Sequence, residues 1–421
     1  MVKALWMPFS ELLVLMKRNS GQYPSREGCD ENCQVLWFSV MRPKVFKLVA
    51  MIGLAFILIF TLSIYLQLQL PATTGPYAVG QTVFRWVDDT RPELLTANPD
   101  DFREIIALIW YPAENGIGAR SPYFPGLSTV SKALADSGEL ESWEVFGLQF
   151  IRSQNLLNAK PAQSNAPYPV LIFSPGNGTN AEFYNSLASE IASHGYIVVG
   201  LNHPYDVAAV ELSDHTIAQY YKEQDSMEIP AHEKYIAGRI QVRTQDVLFT
   251  LNQLEILNSD PNSSFAESLD LTSVAVAGHS LGGITASAAC KAEARFRACL
   301  NFDGLQKGGP FSTEETAIPP DQPFMFITKE SQLHPRLIEK FRSMKQGYWV
   351  VIHGASHESF TDGPLLQPSF LPISNQADEF MQLIQTYTLA FLDQTLKDQP
   401  GNLLSRSVHL QAVSVEVYAA D

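Results

Sequence analysis

From Val83 onward the chain alternates short, near-continuous apolar runs with longer amphipathic ones. The short runs Ile105–Trp110, Val170–Phe173, Ile197–Leu201, Val274–Ala277, Ala298–Phe302, Phe324–Thr328 and Tyr348–Ile352 lack polar alternation. Strands buried on both faces read this way. Between them the spacing predicts helices over Glu182–Ser193, Arg239–Leu257, Gly282–Lys291 and Ala377–Lys397; in the second, Ile240, Val247, Leu248, Leu251 and Leu254 share one helical face. This alternation predicts an α/β fold: a mostly parallel central sheet with helices on both faces. Two stretches break the pattern, 113–167 and 202–235, and are expected as insertions above the sheet. In the first, Trp143, Phe146, Phe150 and Ile151 fall at helical spacing. Core packing is the first reading of that stripe, and a lid or membrane-facing helix is the alternative. Residues 71–80 read as a linker and lead-in, 81–400 as the main domain and 401–421 as a C-terminal tail.

One apolar run is of another kind. Leu48–Leu70 spans 23 residues without a charge, long enough to cross a bilayer. Arg42, Lys44 and Lys47 precede it, and the next basic residue is Arg85. The positive-inside rule then keeps residues 1–47 in the cytoplasm and exports residues 71–421. The expected state is a signal-anchored membrane protein with its main domain outside the cytoplasm, or a secreted one if the leader is cleaved. A cleaved signal peptide fits less well, because the run is long and Pro71-Ala72-Thr73-Thr74 is a poor cleavage site.

Charge sharpens the division. Residues 1–70 carry seven Lys/Arg against four Asp/Glu, and the remainder 22 against 40, so a net charge of −15 averages a basic leader with an acidic domain. Nucleic acid is not an expected partner, since phosphate binding needs clustered Lys and Arg. Neither Cys29/Cys33 nor Cys290/Cys299 has metal-site spacing with histidines. Cys290 and Cys299 read as two buried apolar thiols, with a disulfide as the alternative for an exported domain. No metal or cofactor motif is present in the sequence.

The chemistry centres on Gly278-His279-Ser280-Leu281-Gly282, which follows an apolar strand and precedes a helix of small residues. In that context G-x-S-x-G is a nucleophile turn: the serine sits where neighbouring side chains would obstruct the backbone. The helix amino end then faces developing negative charge. A serine needs a base, and the base an acid, in the chain order serine, acid, histidine. Asp303 ends a strand at the carboxyl edge of the sheet, whereas Asp321 lies before the next strand starts. Among the histidines that follow, His357 lies in a loop after a strand, His353 is its competitor, and His334 and His409 are poorly placed. The predicted oxyanion hole joins the backbone N–H of Leu281 to that of Asn177, in the glycine-rich loop after Val170–Phe173. His203 follows a strand and is expected to be structural, with pocket lining as its alternative role.

At these residues the sequence resembles the platelet-activating factor acetylhydrolase family, the plasma-type serine lipases, over most of residues 75–395. The blocks that carry it are Gly75-Pro76-Tyr77 with Val79-Gly80, Phe173-Ser174 with Gly176, and Ala192-Ser193-His194-Gly195-Tyr196-Ile197-Val198. Gly278-His279-Ser280 with Gly282-Gly283, Arg295-Phe296-Arg297 with Asp303, and His357 with Phe360 and Asp362 complete it. Pro175, Leu281 and Gly304-Leu305-Gln306 depart from the family pattern. The resemblance implies the α/β-hydrolase fold and a cofactor-independent ester hydrolase for short or oxidised acyl chains of phospholipids, with Ser280, Asp303 and His357 as its triad. Two other readings stay open: a general carboxylesterase, polyester or dienelactone hydrolase, and an inactive, membrane-tethered hydrolase-fold interaction module.

Met41-Arg42-Pro43-Lys44 would itself make a conventional basic start before the apolar run. The native protein is therefore expected to begin at Met41, and its intact mass checks this: a mass that includes residues 1–40 refutes it.

Overall fold

The computed structural model describes residues 47–55, 58, 70–114, 118–222, 226–304, 320–330, 338–339, 341–342, 344–366 and 374–418. The chain divides into two units, Met1–Leu62 and Ser63–Asp421. In the first, residues 47–55 are helical, with Leu48, Val49, Met51, Ile52 and Leu54 exposed. Most of the predicted span 48–70 lies outside the described residues. Among the described residues, no helix is long and apolar enough to cross a membrane.

The second unit is an α/β fold. Its strands are β1 (Ala78–Pro92), β2 (Phe102–Ala113), β3 (Arg120–Pro122), β4 (Arg152–Leu157), β5 (Tyr168–Ser174), β6 (Ile197–Asn202), β7 (Ala209–Glu211) and β8 (Ile217–Gln219). They continue with β9 (Leu269–His279), β10 (Phe296–Phe302), β11 (Phe324–Lys329), β12 (Gly347–Ile352), β13 (Val408–His409) and β14 (Val413–Tyr418). The helices are α1 (Leu127–Ser137), α2 (Ser142–Leu148), α3 (Asn185–Ser193), α4 (Ile229–Ser259), α5 (Leu281–Ala292) and α6 (Ser374–Leu396). Twelve strands form one sheet in the order β13-β14-β12-β11-β10-β9-β5-β6-β2-β1-β4-β3, and β7 and β8 form a separate hairpin.

From β6 through β5, β9, β10 and β11 to β12 the pairing is parallel throughout. These strands are the continuous apolar runs of the sequence, covered on both faces. Leu171, Phe173, Ala275 and Ala277 pack into one apolar cluster with Leu187 and Ile191 of α3 and Ile384 and Phe391 of α6. Val170, Ile172, Val274 and Val276 face the other way, toward Val247, Leu251 and Leu254 of α4 and Ile284 and Ala289 of α5. The chain runs from β5 outward to β6, then returns across β5 to β9 and continues in the opposite direction. In open α/β sheets, ligands bind outside the carboxyl ends of the strands at such a reversal.

The structure corrects four expectations. Residues 401–421 are not a tail: β14 pairs antiparallel with β12 from Gly347↔Tyr418 to Ile352↔Val413. The domain also begins earlier, because β1 pairs with β2 from Ala78. Of the stripe on 143–151 only Ile151 is core: Trp143, Phe146 and Phe150 are exposed, and Val145 and Leu148 make the other buried contacts of that segment. Finally, Cys290 on α5 and Cys299 on β10 form a disulfide rather than two thiols.

The disulfide closes a loop of nine residues' separation. Loop-closure entropy puts its contribution at about 2–3 kcal/mol. Replacing both cysteines with alanine is expected to lower the urea unfolding midpoint accordingly, and to abolish any further effect of reductant; an unchanged midpoint refutes this.

Candidate active site

Gly278-His279-Ser280-Leu281-Gly282 forms the turn from β9 into α5. Ser280 stands at φ 54°, ψ −121°, a backbone conformation that residues with side chains rarely adopt. The glycines are required by contact as much as by torsion. A Cβ on Gly278 would collide with the Gly282 carbonyl, and one on Gly282 with the carbonyls of Ser174 and Pro175. The turn is therefore pressed directly onto the loop that follows β5. Ser280 N–H donates to Phe302 O at 2.9 Å, which ties it to the end of β10 as well.

Asp303 sits at that strand end, itself at φ 54°. Its N–H donates to Ile327 O of β11 at 2.8 Å, and Oδ1 accepts from Thr328 Oγ1 at 2.5 Å and from the Lys329 amide at 3.3 Å. Oδ2 lies 2.5 Å from His357 Nδ1. The carboxylate is wholly buried, whereas the imidazole side chain is 36% exposed. A carboxylate accepts only, so Nδ1 carries the proton and Nε2 is left as the basic nitrogen. His357 begins a 3₁₀ turn, His357–Phe360, after β12, entered through a capping box between Ser356 and Ser359. Ser280 and His357 line one cleft of about 290 Å³, together with Asn177 and Gly178 and with Glu139 and Leu140 of the first insertion; Glu139 lies against Gly178.

The other candidates fall elsewhere. His353 binds Glu330 Oε1 at 2.7 Å and Ser414 Oγ at 2.8 Å, joining β12 to β14. His409 is exposed beside Glu416, Asp321 is exposed before β11, and His334 lies outside the described residues. Asn177 lines the cleft; Leu281, the first residue of α5, is wholly buried, so only its backbone is available to the site.

The loop after β5 rests on a layer of buried polar groups. Gly176 N–H donates to Tyr184 OH at 3.0 Å, and that hydroxyl is hydrogen-bonded to His279 Nδ1 at 2.9 Å. Burial, then the neighbouring His357, holds the His279 pKa well below the usual histidine range. Gly178 N–H donates to Asp206 O at 2.8 Å, and Pro175 O accepts from Arg243 Nη2 at 2.5 Å. Ser174 Oγ donates to His203 Nε2 at 3.0 Å, while His203 Nδ1 donates to Asp246 Oδ2 at 2.8 Å. His203 is therefore structural and wholly buried; burial and the Arg243 charge push its pKa down to about 4. Burial alone would raise the pKa of Asp246, but the Arg103 charge overrides it and holds the carboxyl well below its ordinary range. Arg103 grips Asp246 through Nε and Nη2 at 3.2 and 2.7 Å, and Arg239 grips Asp206 through Nε and Nη2 at 2.8 and 2.9 Å.

Sequence reading missed this layer. Its signal was present on α4, where Arg239, Arg243 and Asp246 fall at i, i+4 and i+7 alongside the buried Ile240, Val247 and Leu251. Charges interleaved with an apolar stripe at helical spacing mark buried ion pairs.

A family model described as "Platelet-activating factor acetylhydrolase, isoform II" matches residues 63–404. The chain belongs to this family. Among relatives, the platelet-activating factor acetylhydrolase of Cavia porcellus is 27% identical over 361 residues, 78% of this chain and 78% of that protein. That of Gallus gallus is 25% identical over 368 residues, 78% of this chain and 84% of the relative. A solved structure, the ferulic acid esterase from Streptomyces cinnamoneus, shares the fold with a TM-score of 0.62 at 24% identity, covering 80% of this chain and 96% of the esterase. This platelet-activating factor acetylhydrolase family member is an ester hydrolase.

Behind the His357 turn lies a second buried layer, of opposite electrostatic character. Asp362 accepts from the Ser186 amide at 3.1 Å and from Tyr123 OH at 3.1 Å, and its own N–H donates to Phe183 O at 2.7 Å. Burial pushes its pKa up to about 7, and likewise that of Glu182, which accepts from Asn202 Nδ2 at 3.0 Å. A carboxyl raised in the folded state binds its proton more tightly there than in the unfolded chain. Its contribution is therefore intact below the unfolded pKa and is lost as pH rises from about 4 to about 7, by about 4 kcal/mol at most for Asp362. Asp362→Asn is expected to flatten the decline in unfolding free energy over that window in denaturant titrations. A variant that declines as steeply as wild type refutes the assignment.

Proposed function

We propose that residues 78–418 form an α/β-hydrolase domain that cleaves carboxylic esters through an acyl-serine intermediate, with Ser280, Asp303 and His357 as its triad. The observation that carries this is the convergence of three carboxyl-terminal strand ends, those of β9, β10 and β12, with the 2.5 Å Asp303–His357 contact beside Ser280 in one cleft. Ser280 Oγ attacks the ester carbonyl while its proton passes to His357 Nε2. Asp303 stabilises the resulting imidazolium and fixes the tautomer. The carbonyl oxygen, now an oxyanion, is received by the amides of Asn177 and Leu281. His357 returns the proton to the leaving alcohol, takes one from water as that water attacks the acyl-enzyme, and passes it to Ser280 Oγ as the acyl–oxygen bond breaks and the acid is released.

Short or oxidised acyl chains of phospholipids are the substrates we favour. Both relatives are named for a platelet-activating factor substrate. The cleft is at the small end of the about 300–1,000 Å³ range of ligand pockets, suited to a short acyl group. Exposed Trp143, Phe146 and Phe150 lie on the same insertion that supplies Glu139 and Leu140 to the cleft, an apolar surface a lipid aggregate would meet. We also place this domain outside the cytoplasm, tethered through 48–70. The charge asymmetry across that segment and the Cys290–Cys299 disulfide support an exported, oxidising location.

A fluorophosphonate probe is expected to label wild type at Ser280 and to leave Ser280→Ala unlabelled. Ser280→Ala and His357→Ala should each lower turnover of p-nitrophenyl acetate by at least about 10³-fold, whereas His353→Ala should retain most of it. Retention of activity in Ser280→Ala refutes the mechanism, and chain-length profiling with phospholipid and simple esters separates this substrate class from a general carboxylesterase.

A further inference from the structure

Arg243 is the outlier of the buried charge layer. Arg103 is held by Asp246 and Glu93, Arg91 by Asp88 and Asp246, and Arg239 by Asp206. Arg243, wholly buried on α4, forms no ion pair among the described residues, and its Nε and Nη1 meet no protein partner there. Its one hydrogen bond is from Nη2 to the carbonyl of Pro175 at 2.5 Å. Burial pulls its pKa down to about 10, the mark of a cation kept where solvation is poor. Asp206 and Asp246 act on it only through space, and burial outweighs them; a buried cation held without an ion pair is a net loss for folding, so its placement calls for a reason other than stability.

Pro175 O is one end of the Pro175–Gly176 peptide; the other end, Gly176 N–H, is fixed on Tyr184 OH at 3.0 Å. A peptide plane held at both its oxygen and its nitrogen cannot rotate about the chain axis. The next peptide carries the Asn177 amide, so the setting of one plane determines the aim of the other. The contact is also crowded from the nucleophile side, since a Cβ on Gly282 would strike the Ser174 and Pro175 carbonyls. The cation on Pro175 O holds that carbonyl toward α4 rather than toward the cleft, which Pro175 does not line.

We propose that Arg243 is a positioning residue of the ester hydrolysis: its guanidinium locks the Pro175–Gly176 peptide and so aims the Asn177 amide at the transition-state oxyanion. This rests on the reading of Asn177 as an oxyanion donor. Losing one such donor lowers turnover by about 10²–10³-fold, and misaiming one by less. Arg243→Met, which fills similar space without charge, is expected to lower kcat for p-nitrophenyl acetate by about 10–100-fold with KM changed by no more than about threefold. Binding of a trifluoromethyl ketone, which forms a tetrahedral adduct on the serine, should weaken by a similar factor. The unfolding midpoint should stay constant or rise, because a buried unpaired charge has been removed. Arg243→Lys, able to reach the same carbonyl with one donor, should recover part of the lost kcat. Wild-type kcat in Arg243→Met overturns the proposal, as does loss of activity in step with loss of folded protein or no recovery with lysine. If Ser280→Ala keeps wild-type activity, the acyl-serine reading itself has failed; if Ser280→Ala is dead and Arg243→Met is fully active, only the role of Arg243 has.

Discussion

The close approach of two backbones governs this site. The turn carrying Ser280 and the loop after β5 meet with no side chain between them, since neither Gly278 nor Gly282 has room for a Cβ. Everything the chemistry needs is measured from that contact. It fixes the loop that carries Asn177 against the first turn of α5. The parallel pairing of β5 with β9, from Val170↔Val274 to Ser174↔Gly278, delivers the two segments to that contact in register. Two neighbouring strands then end on non-glycine residues at positive φ, Ser280 and Asp303. Each such residue costs about 1–3 kcal/mol and persists because its surroundings leave no alternative. The amide bonds Ser280–Phe302 and Asp303–Ile327 pass that constraint from strand to strand across the sheet.

Below the contact, the polar interior divides into two layers whose charge states differ. Under the loop after β5, Asp246 and Asp206 are gripped by arginines, and His203 is neutral between Asp246 and Ser174. Behind the His357 turn they favour the protonated acid, because Asp362 and Glu182 are buried without cationic partners. The first layer fixes position through strong, directional ion pairs. The second fixes it through hydrogen bonds around acids whose ionisation the interior resists. Each layer holds one of the two segments that face Ser280.

Much of this was legible in the chain itself. All seven predicted strands are present, since continuous apolar runs admit few other readings in a sheet covered on both faces. Ser280, Asp303 and His357 could be singled out because each follows a recognisable strand, and strand ends define the edge where they meet. What escaped reading did so for physical reasons. β1 alternates polar and apolar residues and contains Asp88 and Asp89, so its strand character comes from pairing with β2 rather than from its own composition. β14 follows a helix and a turn-rich stretch and is recognised only once β12 is available to pair with it. Trp143, Phe146 and Phe150 have the spacing of a core stripe, but spacing cannot say which side of a short helix the rest of the molecule occupies. The spacing of charges on α4 could have hinted at a buried layer, but Arg239 pairs with Asp206 and Arg243 binds the Pro175 carbonyl, partners far away in sequence that no local pattern identifies.

The corrected ends of the sheet bear on how the molecule behaves in company. A twelve-stranded sheet is wide, and an open edge is a template on which another chain can hydrogen-bond. Here the outermost strands are β13, two residues long, and β3, three residues ending in Pro122. Neither offers enough consecutive donors and acceptors to seed a cross-chain ladder, and proline removes one of them outright. Beyond β12 on this side of the sheet, β14 and β13 of residues 408–418 finish the described sheet with a blunt margin. Had it stopped at β12, an apolar parallel strand would lie open to its neighbours in solution, so the C-terminal segment guards colloidal behaviour as well as shape.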